Sequence, residues 1–153
     1  LITEKPGNII YVNIENIRFC NEIQYAVHID ERVDLKAIKI PSLILQPFIE
    51  NALWHGLQPK EGEKLLTLDV ALKNDEFVTI TITDNGIGRK KTMEVASEKV
   101  NTQKKSIGIN LTLRRLQNFS KNLRNTYALR FIDLYDEQEY PAGTQVLIDL
   151  PIK

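Results

Sequence analysis

Apolar and polar residues alternate with period two over several stretches, and these set the first outline of the chain. In "IQYAVHI" (23–29), Ile23, Tyr25, Val27 and Ile29 oppose Gln24, Ala26 and His28, the pattern of a half-buried strand. "KLLTLDVALKNDEFVTITITDNG" gives two more alternating strands joined at Asn74-Asp75, an antiparallel hairpin. "YALRFIDL" and "TQVLIDLPI" supply the last two. Helical spacing takes over elsewhere. "YVNIENIRF" (11–19) stacks Tyr11, Ile14 and Ile17, and "IGINLTLRRLQNFSKNL" stacks Ile109, Leu113, Leu116 and Leu123. "IPSLILQPFIENALWHG" starts near Pro41, stops at Gly56 and should bend at Pro47, which lacks an N–H to donate. The resulting order, α-β-α-β-β-loop-α-β-β, predicts an α+β two-layer sandwich, a mainly antiparallel sheet with helices on one face.

Composition narrows the partners more than the fold. The 153 residues suffice for one core, and the formal net charge is zero, so nothing pulls the whole molecule toward nucleic acid or an anionic membrane. Cys20 is the single cysteine, which excludes an internal disulfide framework and a Cys-rich zinc site. No run approaches the length of a membrane span. Because the chain opens on Leu1 rather than Met, it is expected to be a piece of a longer protein. The main charge asymmetry is "RKKTMEVASEKVNTQKK" (89–105), with six Lys/Arg against two Glu and no usable periodicity.

Chemistry-bearing residues gather at element ends. No P-loop, Rossmann fingerprint, H-E-x-x-H or serine elbow is present. Glu50 and Asn51 interrupt an apolar helix, and His55 follows Asn51 by one turn on the same side. "DNGIG" (84–88) ends a strand with an acid, an amide and two glycines around Ile87. Asn85-Gly86 alone would make a hairpin turn, so Gly88 is surplus to that need. Two glycines in this spacing let a backbone pass close to something. Ser106 and Gly108 open a helix, and Gly143-Thr144 opens the last strand. Taken singly, each has an ordinary explanation: a satisfied helix amide, a tight turn, a histidine near the last carbonyls of a helix.

Taken in order, "LQPFIENALWHG", "DNGIG", "SIGINLTLRRL" and "GTQVLIDLP" resemble the N, G1, G2 and G3 boxes of the GHKL ATPases (Bergerat fold). The likeness is to the ATP-binding domain of LytS-type sensor histidine kinases and runs from about residue 8 to the end. It implies a dimerisation-helix tail over 1–20, an ATP-binding domain over 21–153 and a mobile ATP lid over 89–105. The nucleotide is expected over the open face of the sheet. By the resemblance, Asp84 accepts a hydrogen bond from the adenine amine, an arrangement open to an acceptor-only carboxylate. Gly86, Ile87 and Gly88 admit the base, Thr144 joins the adenine-side network, and His55 belongs to the nucleotide contacts. Ser106, Ile107 and Gly108 offer backbone N–H groups to the phosphates at a helix start. Asn51 is the Mg²⁺ ligand and lies at the catalytic centre, with Glu50 in support.

The resemblance further implies a protein-histidine kinase using ATP and Mg²⁺. It also implies a homodimer formed through upstream helices, a response-regulator receiver domain as partner, no nucleic acid, and a parent anchored in a bacterial cytoplasmic membrane. The phosphoacceptor must precede Leu1, since neither His28 nor His55 fits its motif. Departures point to an alternative, a GHKL-fold module that binds a partner with weak or no kinase activity. Pro47 stands where hydrolytic relatives carry a water-activating carboxylate, Trp54 where a lysine is common, and Ser106 where a glycine is usual. A dimerising chaperone or repair ATPase would need a transducer domain and a catalytic carboxylate, neither of which is visible.

Overall fold

The strand "FVTITITD" fixes the architecture, because its alternation divides the sheet into a dry face and a wet one. The computed structural model describes residues 22–34, 44–90, 102–121 and 125–152, with the side chains of 102–109 and 119 outside that description. The expected helix at 11–19, the 1–20 tail and residues 91–101 of the expected lid therefore lie outside the described residues. Five strands form one sheet: β1 (Ile23–Ile29), β2 (Lys64–Leu72), β3 (Phe77–Asp84), β4 (Ala128–Tyr135) and β5 (Pro141–Pro151), in the order β1-β2-β3-β5-β4. β1 runs parallel to β2, and the remaining pairs are antiparallel. The expected mainly antiparallel sheet is what the chain forms, with β1–β2 as its parallel pair. The β2–β3 turn is closed by Asn74, whose side-chain oxygen accepts the N–H groups of Glu76 and Phe77, both at 2.9 Å.

Two helical elements cover one face. α1 (Gln46–Glu50) runs directly into a π-helical segment (Asn51–Leu57), and α2 spans Thr102–Ser120. Pro47 does not bend a long helix. It occupies the first turn of α1, where a missing N–H leaves no bond unmade. Val78, Ile80 and Ile82 of β3 meet Leu66, Leu68 and Val70 of β2 and Val146, Ile148 and Leu150 of β5. Phe48, Ile49, Leu53 and Leu57 close this layer from α1 and the π-helical segment. Leu53 is fully buried, so Leu53→Ala should cost about 2–5 kcal/mol by transfer and cavity terms, measured by urea unfolding.

On α2 the buried stripe differs from the expected one. Thr112, Leu116 and Ser120 face inward at intervals of four, while Leu113 is only half-buried. The polar members fit because their hydroxyls can bond locally; Ser120 Oγ donates to the Leu116 carbonyl at 3.0 Å.

Candidate functional site: a carboxylate locked between a helix and the sheet

Alternation in β3 places Thr79, Thr81 and Thr83 on one face and Val78, Ile80, Ile82 and Asp84 on the other. Asp84 therefore lies on the helix-covered side, at the end of an apolar row, and is 5% exposed. Asp84 thus looks into the cleft between sheet and helices.

The loop after Asp84 is no simple hairpin. Asn85 continues the β2 ladder: its N–H donates to the Leu65 carbonyl (3.2 Å) and its side-chain oxygen accepts the Leu65 N–H (2.8 Å). Its amide nitrogen donates to the Glu63 carbonyl at 3.1 Å. With Asn85 fixed, Gly86 turns back so that its N–H donates to Asp84 Oδ1 at 2.9 Å. The Ile87 N–H then donates to the Gly56 carbonyl at 3.1 Å, tying the loop to the π-helical segment.

Space explains the glycines. A Cβ on Gly86 would lie 2.3 Å from the Gly56 carbonyl carbon, and one on Gly56 would lie 2.7 Å from Asp84 Oδ1. Gly143, at φ +141°, packs from β5 against the Asp84 backbone, where a Cβ would meet the Asp84 carbonyl oxygen at 2.0 Å. Gly88 takes φ +78° and packs against Pro141. Three backbones thus converge around Asp84. Gly56 is the residue the sequence pattern misjudged: read as a helix stop, it is the helix's contact point with the DNGIG loop. Its signal was available, since a glycine one residue after His55 and ahead of a buried Leu57 need not be a terminator.

The helix reaches this contact through its π-helical geometry. The Gln58 N–H donates to the Leu53 carbonyl five residues back, at 2.8 Å. Such wide turns recur at functional sites, where they re-aim side chains without breaking a helix. Asn51 is the first residue of this segment, and its half-buried side chain makes no hydrogen bond among the described residues. Glu50, one position before it, accepts from Gln46 Nε2 at 2.9 Å, which suits a supporting place. His55 lies beside Gly56 on the same segment. Asn51, His55, Asp84 and the DNGIG loop are therefore carried on two elements that touch.

Electrostatics separates Asp84 from the other buried carboxylate. Asp149, on the opposite face, is pushed up by burial, but Lys73 (2.6 Å), the Thr79 hydroxyl (2.6 Å) and Arg130 (3.4 Å) outweigh this and hold it below its ordinary value. Asp84 has no cation in contact among the described residues. Burial pushes its pKa up to about 6, against the backbone N–H groups of Gly86 and Thr144 and the more distant charge of Lys60. Thr144 is its direct partner across β3–β5 and is itself buried. A carboxylate has about four lone-pair positions, so acceptor capacity remains beyond these two N–H groups. A buried, uncompensated acid in a glycine-walled cleft is a binding-site signature rather than a structural pair.

Beyond the loop, Arg89 holds Asp133 of β4 bidentately (2.7 and 2.9 Å). Its guanidinium stands 5.1 Å from the Phe131 ring centre, and Phe131 lies 6.2 Å from Phe48 of α1. The chain therefore leaves the site in a fixed direction. Ser106, Ile107 and Gly108 do not open α2, which begins at Thr102. Nothing in Thr102–Lys105 breaks a helix, so the first turn forms upstream and the N–H groups of 106–108 fall within its hydrogen-bonding range. The helix's unpaired N–H groups belong to its first turn instead.

No family model matches the chain. Among curated proteins, it is 33% identical over 104 residues to the sensor protein LytS of Oceanobacillus iheyensis, covering 67% of this chain and 17% of LytS. It is 29% identical over 147 residues to the sensor histidine kinase YesM of Bacillus subtilis, covering 94% of this chain and 22% of YesM. The chain thus spans about a fifth of the length of these relatives. Among solved structures, a histidine kinase domain from Erythrobacter litoralis EL346 superposes with TM-score 0.60 at 18% identity, covering 95% of this chain and 62% of that one. The mycobacterial sensor histidine kinase MprB gives 0.57 at 16%, covering 95% and 93%. The likeness in sequence to LytS and YesM and the shared catalytic-domain fold place this chain in the LytS-type sensor histidine kinase family, as a GHKL-fold catalytic domain.

Proposed function

We propose that this domain binds ATP with Mg²⁺ and presents the γ-phosphate to a histidine outside the sequence, as the catalytic part of a two-component sensor kinase. The observation that carries this is the Gly56–Gly86 contact. It holds the helix bearing Asn51 against the loop bearing Asp84, so that a metal-ligand candidate and a base-reading candidate share one rigid frame. Asp84 accepts the adenine amine, with Thr144 beside it; Gly86, Ile87 and Gly88 give the base room. His55 and the first turn of α2, leading to Ser106–Gly108, serve the phosphates. Of the expected lid, 89–105, Arg89 is anchored on Asp133 and Thr102–Lys105 belong to α2, while 91–101 lie outside the described residues.

Asn51 supplies one amide oxygen to the metal. Magnesium favours oxygen ligands and keeps several waters, so a single protein ligand beside phosphate oxygens fits it better than an all-protein cage. Among the described residues no cluster of three or more His, Cys, Asp or Glu forms such a cage. Bound there, Mg²⁺ would neutralise phosphate charge, while the chain's own part is to orient the triphosphate. Pro47 suits this chemistry. Transfer to an imidazole needs no activated water, and the absence of a carboxylate at that position leaves the γ-phosphate less exposed to hydrolysis.

The same reading takes a response-regulator receiver domain as onward acceptor, dimerisation through upstream helices and a membrane-anchored parent, supported by the likeness to sensor kinases. No helix among the described residues is long and apolar enough to cross a membrane. Asn51→Ala should leave the fold intact and abolish the Mg²⁺ dependence of ATP affinity, measured by isothermal titration with and without the metal. Retained dependence would remove Asn51 as ligand.

A further inference from the structure

Lys60 lies outside the four sequence boxes, yet it reaches the centre of the site. The chain leaves the π-helical segment at Gln58-Pro59 in a turn closed by the Lys60 N–H on the Leu57 carbonyl at 3.1 Å. From that turn the Lys60 ammonium crosses to the DNGIG loop and donates to the Asn85 carbonyl at 2.7 Å. Asn85 is already tied to β2 on its other edges, so this bond completes the clamping of the residue directly after Asp84. A half-buried cation bonded only to a neutral carbonyl among its described contacts, one residue from a buried acid, is placed to act on that acid through space.

We propose that Lys60 is a positioning residue of the base-binding site, tying the DNGIG loop to the helix and holding Asp84 as the ionised acceptor that an adenine amine requires. This rests on the assignment of Asp84 above. The neighbouring charges leave that task to Lys60. On β2, Lys64 is paired with Glu22 at 2.9 Å, and Asp69 lies on the other face with His28. On β5, Asp149 lies on the other face with Lys73 and Arg130. Arg89, after the loop, is held by Asp133. His55 is the titratable group of the π-helical segment, and it stays unchanged in every comparison below.

Three variants separate the tether from the charge. Lys60→Arg keeps both, Lys60→Gln keeps a donor without charge, and Lys60→Met keeps neither. The direct measurement is the Asp84 side-chain carboxyl titration by carbon-13 NMR on the folded chain, with amide spectra confirming the fold of each variant. The midpoint should rise by about one pH unit in Lys60→Gln and Lys60→Met and return in Lys60→Arg. The acid limb of ATP·Mg²⁺ affinity should move upward in parallel, so that binding at pH 6 falls about fivefold while binding at pH 8 falls less in Lys60→Gln than in Lys60→Met. A midpoint unmoved in both neutral variants, with ATP still bound by the parent chain, overturns the role of Lys60 alone. Failure of the parent chain to bind ATP at any pH overturns the nucleotide assignment and Lys60's role with it.

Discussion

Asp84→Asn should abolish useful ATP binding and, at the same time, make the free protein more stable at neutral pH. The two effects share one cause. Ionised Asp84 is buried without a contacting cation among the described residues, and its pKa is raised from 3.8 to about 6. The folded state thus holds this proton more tightly than the unfolded state. The stability it contributes is fully present below about 3.8 and is lost as pH rises through about 6. At about 1.36 kcal/mol per pKa unit, keeping the carboxylate ionised at pH 7 costs the fold about 3 kcal/mol. Asparagine removes that charge and can still accept the Gly86 N–H, but its amide group would face the Thr144 N–H with a donor. The net gain should therefore be smaller, about 1–2 kcal/mol, measured as a raised urea midpoint at pH 7 that disappears below pH 4. For ATP the substitution turns an acceptor toward the adenine amine into a donor. Loss of a hydrogen bond to a charged group, about 1.5–3 kcal/mol, predicts a fall in affinity of about tenfold to more than a hundredfold. Unchanged affinity by titration calorimetry would detach Asp84 from the base. A carboxylate kept at a stability cost is what a binding site requires and a structural network does not.

Gly86→Ala should severely damage nucleotide binding. The added carbon would fall 2.3–2.5 Å from three backbone atoms of Gly56, and backbone cannot rotate out of the way as a side chain can. Either the loop leaves the helix, breaking the Ile87–Gly56 hydrogen bond, or the π-helical segment shifts and carries Asn51 with it. Overpacking of this kind costs about 1–3 kcal/mol, and here both outcomes separate the base-reading and metal-binding residues. Gly62→Ala is the contrast. Gly62 has φ +82° but open space around it, so alanine there meets only the left-handed backbone penalty of about 1–2 kcal/mol. ATP affinity should survive in Gly62→Ala and vanish in Gly86→Ala at comparable losses in thermal midpoint. Equal affinity in both would mean that the helix–loop contact does not organise the site.

Much of this was legible before any coordinates, and the limits have physical reasons. Strands came through because a sheet wet on one side writes its burial directly into alternation; β3 shows this from Phe77 to Asp84. That same alternation already put Asp84 on the apolar side with Ile80 and Ile82. Helix ends were less legible. Ser106 looked like a start, yet Thr102–Lys105 contains nothing to stop a helix, and propensity alone cannot choose between two acceptable caps. Pro47 suggested a bend in a longer helix and instead lies in a first turn. Thr112 and Ser120 took inward places on α2 that hydrophobic spacing assigns to leucines, because local hydroxyl bonds make small polar residues tolerable there. Gly56 and Lys60 were hidden for a different reason. Each acts on a loop some thirty residues away in sequence, and no local periodicity encodes such a contact.

The central claim is that one frame, the helix of Asn51 bonded to the loop of Asp84, receives an adenosine triphosphate. A crystal structure of this chain with a non-hydrolysable ATP analogue and Mg²⁺ tests it most directly. The adenine amine should lie within hydrogen-bond distance of the Asp84 carboxylate, and the metal should be ligated by the Asn51 side-chain oxygen, with the Gly56–Gly86 contact unchanged. An analogue bound elsewhere, or bound with Asp84 still sealed from it, would contradict the account.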